Sequence, residues 1–194
     1  MSYVKNILLC GVGGQGTILT SKILTEGLLQ AGFDVKMSEV HGMAQRGGSV
    51  STQVRYGEKV HSPLFGMGQA DVCVAFERME AVRYAEYLKP DGICVVNDYR
   101  LTPMSVATGA AAYPKDAIGA VSQAFETIII RAGDIAASLG NIRTMNVVLF
   151  GALVRTPALS ELADVDWEAV IVSLVPENLR DLNLSAFRAG ILGV

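Results

Sequence analysis

The sequence predicts an α/β fold: a Rossmann-like three-layer domain with a mostly parallel sheet and a helical C-terminal tail. Short apolar runs alternate with stretches of helical periodicity from residue 4 to residue 131, and only helical patterns follow residue 144. Such alternation is typical of parallel sheets covered by helices. The chain has 194 residues, the length of one ordinary domain. We therefore expect residues 1–194 to form a single domain.

The strands are predicted from short apolar or alternating runs. The third run alternates, as a strand with one buried face does. A helical stretch separates the first two runs, and a helical crossover implies that the strands it joins run parallel. The predicted strands are Val4–Cys10, Val35–Val40, Ser49–Tyr56, Asp71–Phe76, Ile93–Asn97 and Thr127–Arg131.

The helices are predicted from apolar residues three and four apart and from start and stop signals. Gly32 stands where a C-cap glycine belongs, and Pro114 stands where a first helical turn tolerates proline. The connection Tyr99–Tyr113 has no assigned structure. The predicted helices are Gln15–Gln30, Arg78–Leu88, Pro114–Phe125, Asp134–Leu139, Thr144–Arg155, Trp167–Leu174 and Asn178–Leu192.

Composition excludes several classes of protein. Hydrophobic residues make up 51% of the chain and charged residues 18%, unlike a disordered sequence. The net charge of −3 gives no basic footprint for nucleic acid, and no apolar stretch approaches the ~20 residues of a membrane span. The cysteines Cys10, Cys73 and Cys94 lie in predicted strands without C-x-x-C spacing. They fit a reducing cytoplasm and are too few for an iron–sulfur cluster.

The low charged fraction also suggests an apolar surface covered by another subunit. We expect part of the C-terminal tail to be buried against a partner, or in a homodimer when the chain is isolated. The apolar residues of this tail are Trp167, Val170, Ile171, Leu174, Leu179, Leu182 and Phe187.

The first functional candidate joins the first predicted strand to the first helix. Its sequence, Gly11-Val12-Gly13-Gly14-Gln15-Gly16, fits G-x-G-x-x-G, whereas Thr17 stands where a Walker A motif needs lysine. Glycines let a phosphate approach the backbone, and the helix N-terminus offers unpaired N–H groups. One interpretation is an anion or nucleotide site, which Glu39 supports as a ribose ligand; the other is a tight turn with packing glycines only.

The second candidate follows the second predicted strand and reads His41-Gly42-Met43-Ala44-Gln45-Arg46-Gly47-Gly48. In an open parallel sheet it should meet the first candidate at the same edge. Arg46 and the backbone N–H groups after it could cradle a phosphate or a carboxylate. A solvated turn with an exposed arginine is the alternative. His61 is expected to be a surface residue, and no catalytic or metal-ligating set is predicted.

Together these segments resemble the gamma-type subunit of the 2-oxoacid:ferredoxin oxidoreductases, the pyruvate/ketoisovalerate oxidoreductase family. A later element matches the same family: Gly140-Asn141-Ile142-Arg143, then Asn146 and Gly151-Ala152-Leu153. The second candidate segment, followed by Ser49 and Val54-Arg55, is most similar to the beta subunit of indolepyruvate:ferredoxin oxidoreductases. The resemblance covers nearly the whole chain.

The resemblance implies a non-catalytic subunit of an enzyme that oxidatively decarboxylates a 2-oxoacid, here an arylpyruvate such as indolepyruvate. Coenzyme A would take the acyl group and ferredoxin the electrons. Thiamine diphosphate, magnesium and iron–sulfur clusters would lie in a larger partner subunit. This chain would help to bind coenzyme A through Gly11–Thr17 and His41–Gly48. The alternatives are a stand-alone dinucleotide-binding module or sensor and, third, an independent NAD-dependent dehydrogenase.

Overall fold

The computed structural model describes residues 4–41 and 47–193. Within these ranges the strands are β1 (Val4–Val12), β2 (Asp34–His41), β3 (Ser49–Gly57), β4 (Ala70–Ala75), β5 (Leu88–Asn97) and β6 (Glu126–Ile130). They form one sheet in the order β2-β3-β1-β4-β5-β6.

Five of the six described strands run in one direction. The pairs β1–β4, β4–β5 and β5–β6 are parallel, while β3 is antiparallel to both of its neighbours. The first two strands are therefore parallel, as predicted, but β3 lies between them. The reason is that β2 and β3 form a hairpin, which returns the chain beside β1 instead of extending the parallel series.

Helices cover both faces of the sheet, so the predicted three-layer α/β fold is confirmed. The helices in the described ranges are α1 (Thr17–Gln30), α2 (Arg78–Tyr84), α3 (Met104–Ala107), α4 (Ala117–Ala124), α5 (Ala132–Ser138), α6 (Met145–Val154), α7 (Trp167–Leu174) and α8 (Arg180–Leu192). None of them is long and apolar enough to cross a bilayer.

The larger part of the core lies between the sheet and helices α1, α6, α7 and α8. The Phe150 ring is central there: its centroid lies 5.1 Å from that of Trp167 and 5.8 Å from that of Phe187. The smaller part lies on the opposite face, under α2 and α4, and contains Cys10, Cys73 and Cys94 on three neighbouring strands.

The C-terminal tail packs mainly on its own chain. Trp167, Val170, Ile171 and Phe187 are at most 7% exposed, so these four side chains are not available to a partner. Trp167 and Phe187 pack on Phe150 of α6 instead, so the predicted partner surface of the tail does not include these four side chains. That another part of the tail is buried against a partner stays a prediction. Leu174 is 36% exposed and remains accessible.

Two predicted helix boundaries differ from the structure by three or more residues. The helix predicted to begin at Pro114 begins at Ala117, because the Asp116 carboxylate accepts a hydrogen bond from the Gly119 N–H and caps the helix there. The helix predicted to end at Leu88 ends at Tyr84, since a 3-10 turn follows and Leu88 already pairs with Ala70 in the sheet.

Candidate functional site

The first glycine segment connects the carboxyl end of β1 to helix α1. Gly11 is still part of β1, and Gly16 is the N-cap of α1 with φ of +86°. A Cβ atom at Gly16 would lie 2.5 Å from the Asn146 Nδ2 atom, so both the conformation and the space require glycine here. Thr17 begins α1 and is buried. The strand–turn–helix context that the motif requires is present.

Gln15 shapes this segment from inside. Its side chain is 6% exposed. Its Oε1 accepts a hydrogen bond from the Val12 N–H at 2.7 Å, and its Nε2 donates to the Phe76 carbonyl at 3.1 Å. The Gln15 amide therefore holds the turn to Val12 and to Phe76, the residue after β4. Its oxygen and nitrogen are both bonded within the protein.

The two glycine segments contact each other directly. The Gly13 N–H donates to the Gly48 carbonyl at 2.8 Å, and the Gly47 N–H donates to the Gly13 carbonyl at 3.2 Å. The edge shared by the two candidates is thus a feature of the fold. Gln45 and Arg46 lie outside the described residues, so their predicted ligand role stays a prediction, as does that of His41.

The end of the second segment is held by a buried carboxylate. Glu80 is 2% exposed and lies in the first turn of α2. It accepts a hydrogen bond from the Ser49 hydroxyl and another from the Arg83 Nε at 3.0 Å. Ser49 is the first residue of β3, so α2 fixes the point where the second glycine segment re-enters the sheet.

A second helix N-terminus reaches the same edge. Asn146, in the first turn of α6, is 4% exposed. Its Nδ2 donates to the Gly16 carbonyl at 3.2 Å, and its own carbonyl accepts from the Thr20 hydroxyl at 3.4 Å. The starts of α1 and α6 are thereby held side by side, and both present the positive ends of their helix dipoles.

A cavity of about 670 Å³ opens between these two helix ends. Its lining residues are Gly14, Gln15, Gly16, Leu19, Tyr99, Ile142, Arg143, Met145 and Asn146. The volume lies within the roughly 300–1,000 Å³ of typical ligand sites. Among the described residues, the lining includes the cation of Arg143 and no carboxylate, so the cavity favours an anionic ligand.

Backbone donors in the cavity wall are available to such a ligand. The N–H groups of Gly14 and Gly16, which line the cavity, have no hydrogen-bond partner among the described residues, and neither do those of Thr17 and Ile18 in the first turn of α1. The first N–H groups of an α-helix point out of its N-terminus, and a phosphate can accept several of them at once. The predicted anion site therefore has suitable donors, and Arg143 adds an exposed guanidinium beside them.

Glu39 does not take the position that a dinucleotide site needs. Its carboxylate accepts a hydrogen bond from the Ser21 hydroxyl of α1 at 3.4 Å. Because β3 separates β2 from β1, Glu39 lies one strand spacing, roughly 4.8 Å, farther from the glycine segment than in a Rossmann βαβ unit. This displacement weighs against the dinucleotide interpretation.

The cysteines form a row inside the sheet and not a ligand cluster. The Sγ atoms of Cys10 and Cys73 lie 3.7 Å apart, and Cys73 is paired with Cys94 in the strand register. Burial raises the pKa of the Cys10 thiol, and hydrogen bonds along the row raise the pKa of Cys73 and of Cys94. Three buried neutral thiols do not fit an iron–sulfur cluster. The described lining of the cavity offers no carboxylate and so does not fit a magnesium diphosphate.

Several cavity residues were not singled out from the sequence as ligand contacts. No ligand role is predicted for Tyr99 or Met145, and Ile142, Arg143 and Asn146 enter only through the family resemblance. Tyr99 follows the last residue of β5 by two positions and so lies at the carboxyl edge of the sheet. Its place at this edge is the signal that could have identified it.

The comparisons with known proteins agree with this architecture. A family model described as pyruvate ferredoxin/flavodoxin oxidoreductase matches residues 6–192. The indolepyruvate oxidoreductase subunit IorB of Thermococcus kodakarensis is 38% identical over 195 residues, covering 96% of this chain and 94% of that protein. The IorB subunit of Methanothermobacter thermautotrophicus is also 38% identical, over 201 residues, covering 98% and 96%.

A solved structure extends the likeness to the fold. The gamma subunit of a keto/oxoacid ferredoxin oxidoreductase from Geobacter sulfurreducens PCA superimposes with a TM-score of 0.70 at 25% identity, and 97% of each chain is covered. The family is part of the oxidoreductases that use thiamine diphosphate and iron–sulfur clusters. The chain belongs to the pyruvate ferredoxin/flavodoxin oxidoreductase family, which confirms the prediction of a non-catalytic, gamma-type subunit of a 2-oxoacid:ferredoxin oxidoreductase.

Proposed function

We propose that this subunit binds coenzyme A for a cytoplasmic enzyme that acts on an arylpyruvate such as indolepyruvate. In this proposal it docks on a larger subunit that holds thiamine diphosphate, magnesium and the iron–sulfur clusters, and the assembled enzyme reduces ferredoxin. The names of the IorB relatives support the substrate class. The poor fit of this chain to a cluster or to a magnesium diphosphate supports the division between subunits.

The observation that carries the coenzyme A assignment is the cavity at the carboxyl edge. It combines free backbone donors, two helix N-termini and Arg143, which suit phosphate groups, with the apolar side chains of Leu19, Ile142 and Met145. Coenzyme A has both kinds of surface, since phosphates lie at one end and a mostly uncharged pantetheine arm at the other. The cavity would hold the phosphates at the Gly14–Thr17 backbone and at Arg143.

The chain's contribution to the reaction is to bind and orient the acyl acceptor. Coenzyme A supplies the thiol that takes the acyl group when it is bound. Fixing the phosphates on a rigid strand–helix turn restricts where the rest of the molecule can lie, and such positioning lowers the entropic part of the barrier. Neither acid–base catalysis nor electron transfer is required of these residues.

The test removes Arg143 in the holoenzyme reconstituted with the larger subunit. We expect Arg143→Ala to raise the KM for coenzyme A about tenfold, since a charge-assisted hydrogen bond contributes ~1.5–3 kcal/mol, with the KM for the 2-oxoacid unchanged. Arg188→Ala is the matched control: it removes an exposed guanidinium that pairs with Glu168 on α7, away from the cavity. An unchanged KM for coenzyme A in Arg143→Ala contradicts the proposal.

Calorimetry separates the coenzyme A proposal from the dinucleotide module. The holoenzyme and the isolated chain are titrated with coenzyme A and with NAD. Binding of coenzyme A that is weakened by Arg143→Ala, together with no response to NAD, is the expected result. Tight NAD binding without a response to coenzyme A would favour the nucleotide module instead.

A further inference from the structure

The connection between β5 and α4 folds back over the carboxyl edge of the sheet. Residues 98–113, here called the 98–113 segment, contain helix α3 and carry Tyr99 into the cavity wall. This segment includes the stretch to which the sequence assigned no structure. Its contacts indicate what holds it in place.

A single buried carboxylate fastens both ends of the 98–113 segment. Glu77 follows β4, is completely buried and caps α2: its Oε2 accepts from the N–H groups of Met79 at 2.6 Å and Glu80 at 3.2 Å. Its Oε1 accepts from the Leu101 N–H at 3.2 Å and from the Tyr113 hydroxyl. One oxygen therefore anchors α2, and the other ties residues 101 and 113 to it.

Tyr99 lies between the Glu77 carboxylate, which binds Leu101, and the cavity that its side chain lines. Its carbonyl accepts a hydrogen bond from the Arg78 N–H at 3.1 Å, and Leu101 is held by Glu77 two residues later. A Cβ atom at Gly133 would lie 3.0 Å from the Tyr99 ring, so α5 supports the ring from behind. At the far end of the segment, the Arg100 guanidinium lies over the Tyr113 ring, 4.4 Å from its centroid.

We propose that Glu77 and Tyr113 are positioning residues: they hold the 98–113 segment so that Tyr99 forms one wall of the coenzyme A cavity. The proposal rests on the proposed function for its ligand. The flat Tyr99 ring would contact the adenine end or the pantetheine arm of coenzyme A, while the glycine segment and Arg143 hold the phosphates.

The protonation state of Tyr113 suits this role. Partial burial and the neighbouring Glu77 carboxylate raise the pKa of the phenol above its ordinary value. The hydroxyl therefore remains a hydrogen-bond donor throughout the pH range in which the enzyme would be assayed. Arg78 and Arg100, the cations on the adjacent elements, leave this donor role intact.

The test uses Tyr113→Phe, which deletes the hydroxyl and keeps the ring under Arg100. Tyr87→Phe is the matched control, because Tyr87 lies at the amino end of β5 and packs on Phe65, away from the cavity. Both variants are made in the holoenzyme, and Glu77→Gln is the second variant, which keeps one amide oxygen for the helix cap. Trypsin cleavage after Arg100 and hydrogen exchange of residues 98–103 report release of the segment.

We expect Tyr113→Phe to speed trypsin cleavage after Arg100 about tenfold, because a hydrogen bond to a carboxylate is lost from a locally opening segment. The KM for coenzyme A should rise about fivefold while kcat stays unchanged, since misplacement of a wall residue weakens binding and does not alter the chemistry. Added coenzyme A should slow the cleavage in wild type and less so in the variant. The control should match wild type in all three measurements.

Two results would overturn the inference. If cleavage after Arg100 is not accelerated by either variant, Glu77 and Tyr113 do not hold the segment. If cleavage accelerates but the KM for coenzyme A is unchanged, the segment is no wall of the ligand site. In that second case Arg143→Ala distinguishes the failures: a raised KM there preserves the proposed function, and an unchanged KM there removes it as well.

Discussion

Two regions of this chain depend on glycine for opposite physical reasons. Where α6 crosses α8, Gly151 and Gly190 are required because no space exists for a side chain. In the turn between β1 and α1, Gly14 is required by backbone conformation in open surroundings. The first region is a close contact between two helices of the interior, and the second forms part of the wall of the candidate site.

The helix crossing is limited by backbone atoms. A Cβ atom at Gly190 would lie 2.0 Å from the Val148 carbonyl oxygen, and one at Gly151 would lie 2.3 Å from the Phe187 carbonyl oxygen. Neither obstacle can rotate away, because both belong to helix backbones. The two glycines set the distance between the helices, and the Phe150–Phe187 stack is built beside them.

The glycine turn shows the reverse arrangement. Gly14 has a φ of +103°, and a Cβ atom there would meet no atom within 4 Å. A side chain at this position would strain the backbone. It would also project into the space that a ligand needs. The comparison shows that Gly151, in the element that matches the family, is required by close packing, whereas Gly14 leaves a surface open.

Gly190→Ala should have the largest effect on stability. A small effect would contradict the view that this glycine is required by lack of space. Because the added methyl forces two helices apart, we expect a loss of about 3 kcal/mol in the free energy of unfolding. Urea denaturation of the purified chain measures it. The control is Gly66→Ala, where the nearest atom to the new Cβ lies at 3.6 Å. A control-like result for Gly190→Ala would show that the crossing can relax.

Gly14→Ala should have an intermediate effect that separates strain from function. Gly32 offers the matched control, since it has a φ of +86° and a Cβ atom there would also meet no atom within 4 Å, but it lies at the other end of α1. Each substitution should cost about 1 kcal/mol of stability, from the left-handed backbone. Only Gly14→Ala should also raise the KM for coenzyme A; equal behaviour of the pair in that assay would remove Gly14 from the site.

The smallest effect concerns Cys10, which lies on β1 immediately before the glycine segment. Burial raises its pKa in the folded chain above the ordinary value of 9.0. The unfolded state therefore loses the proton first as the pH rises, so the stabilisation present below pH 9 is lost above it. Between pH 7 and pH 9 wild type should lose about 0.4 kcal/mol more than Cys10→Ala, the amount for one half-ionised thiol. Urea midpoints at both pH values test this; parallel pH profiles would mean that Cys10 is solvated when folded.

Local patterns were sufficient for most of the elements. Trp167–Leu174 was predicted with the bounds that the structure has, because its apolar period and the preceding Asp166 cap agree. The position of β3 could not be predicted in the same way. Strand pairing depends on where a hairpin returns, and the alternation of Ser49–Tyr56 specifies only which of its faces is buried.

The site could be predicted in part. The contact between the two glycine segments followed from the rule that carboxyl ends of parallel strands share an edge, and the Gly13–Gly48 hydrogen bond agrees with it. The role of Glu77 has no local sequence signal, since glutamate is not among the preferred N-cap residues and the partners of its second oxygen lie 24 and 36 residues away. Only the fold brings Leu101 and Tyr113 to its second oxygen.

The hydrogen bond between Asn146 and Gly16 joins residues 130 positions apart in the chain. The cavity therefore exists only when β1, α1 and α6 have all assembled, and no fragment that lacks one of them could contain it. Binding of a ligand there is linked by mass action to the assembly of these three elements, with ~2.7 kcal/mol of added stability at a concentration one hundred times its Kd. The concentration of that ligand would then set how often the free subunit unfolds before it assembles with its partner.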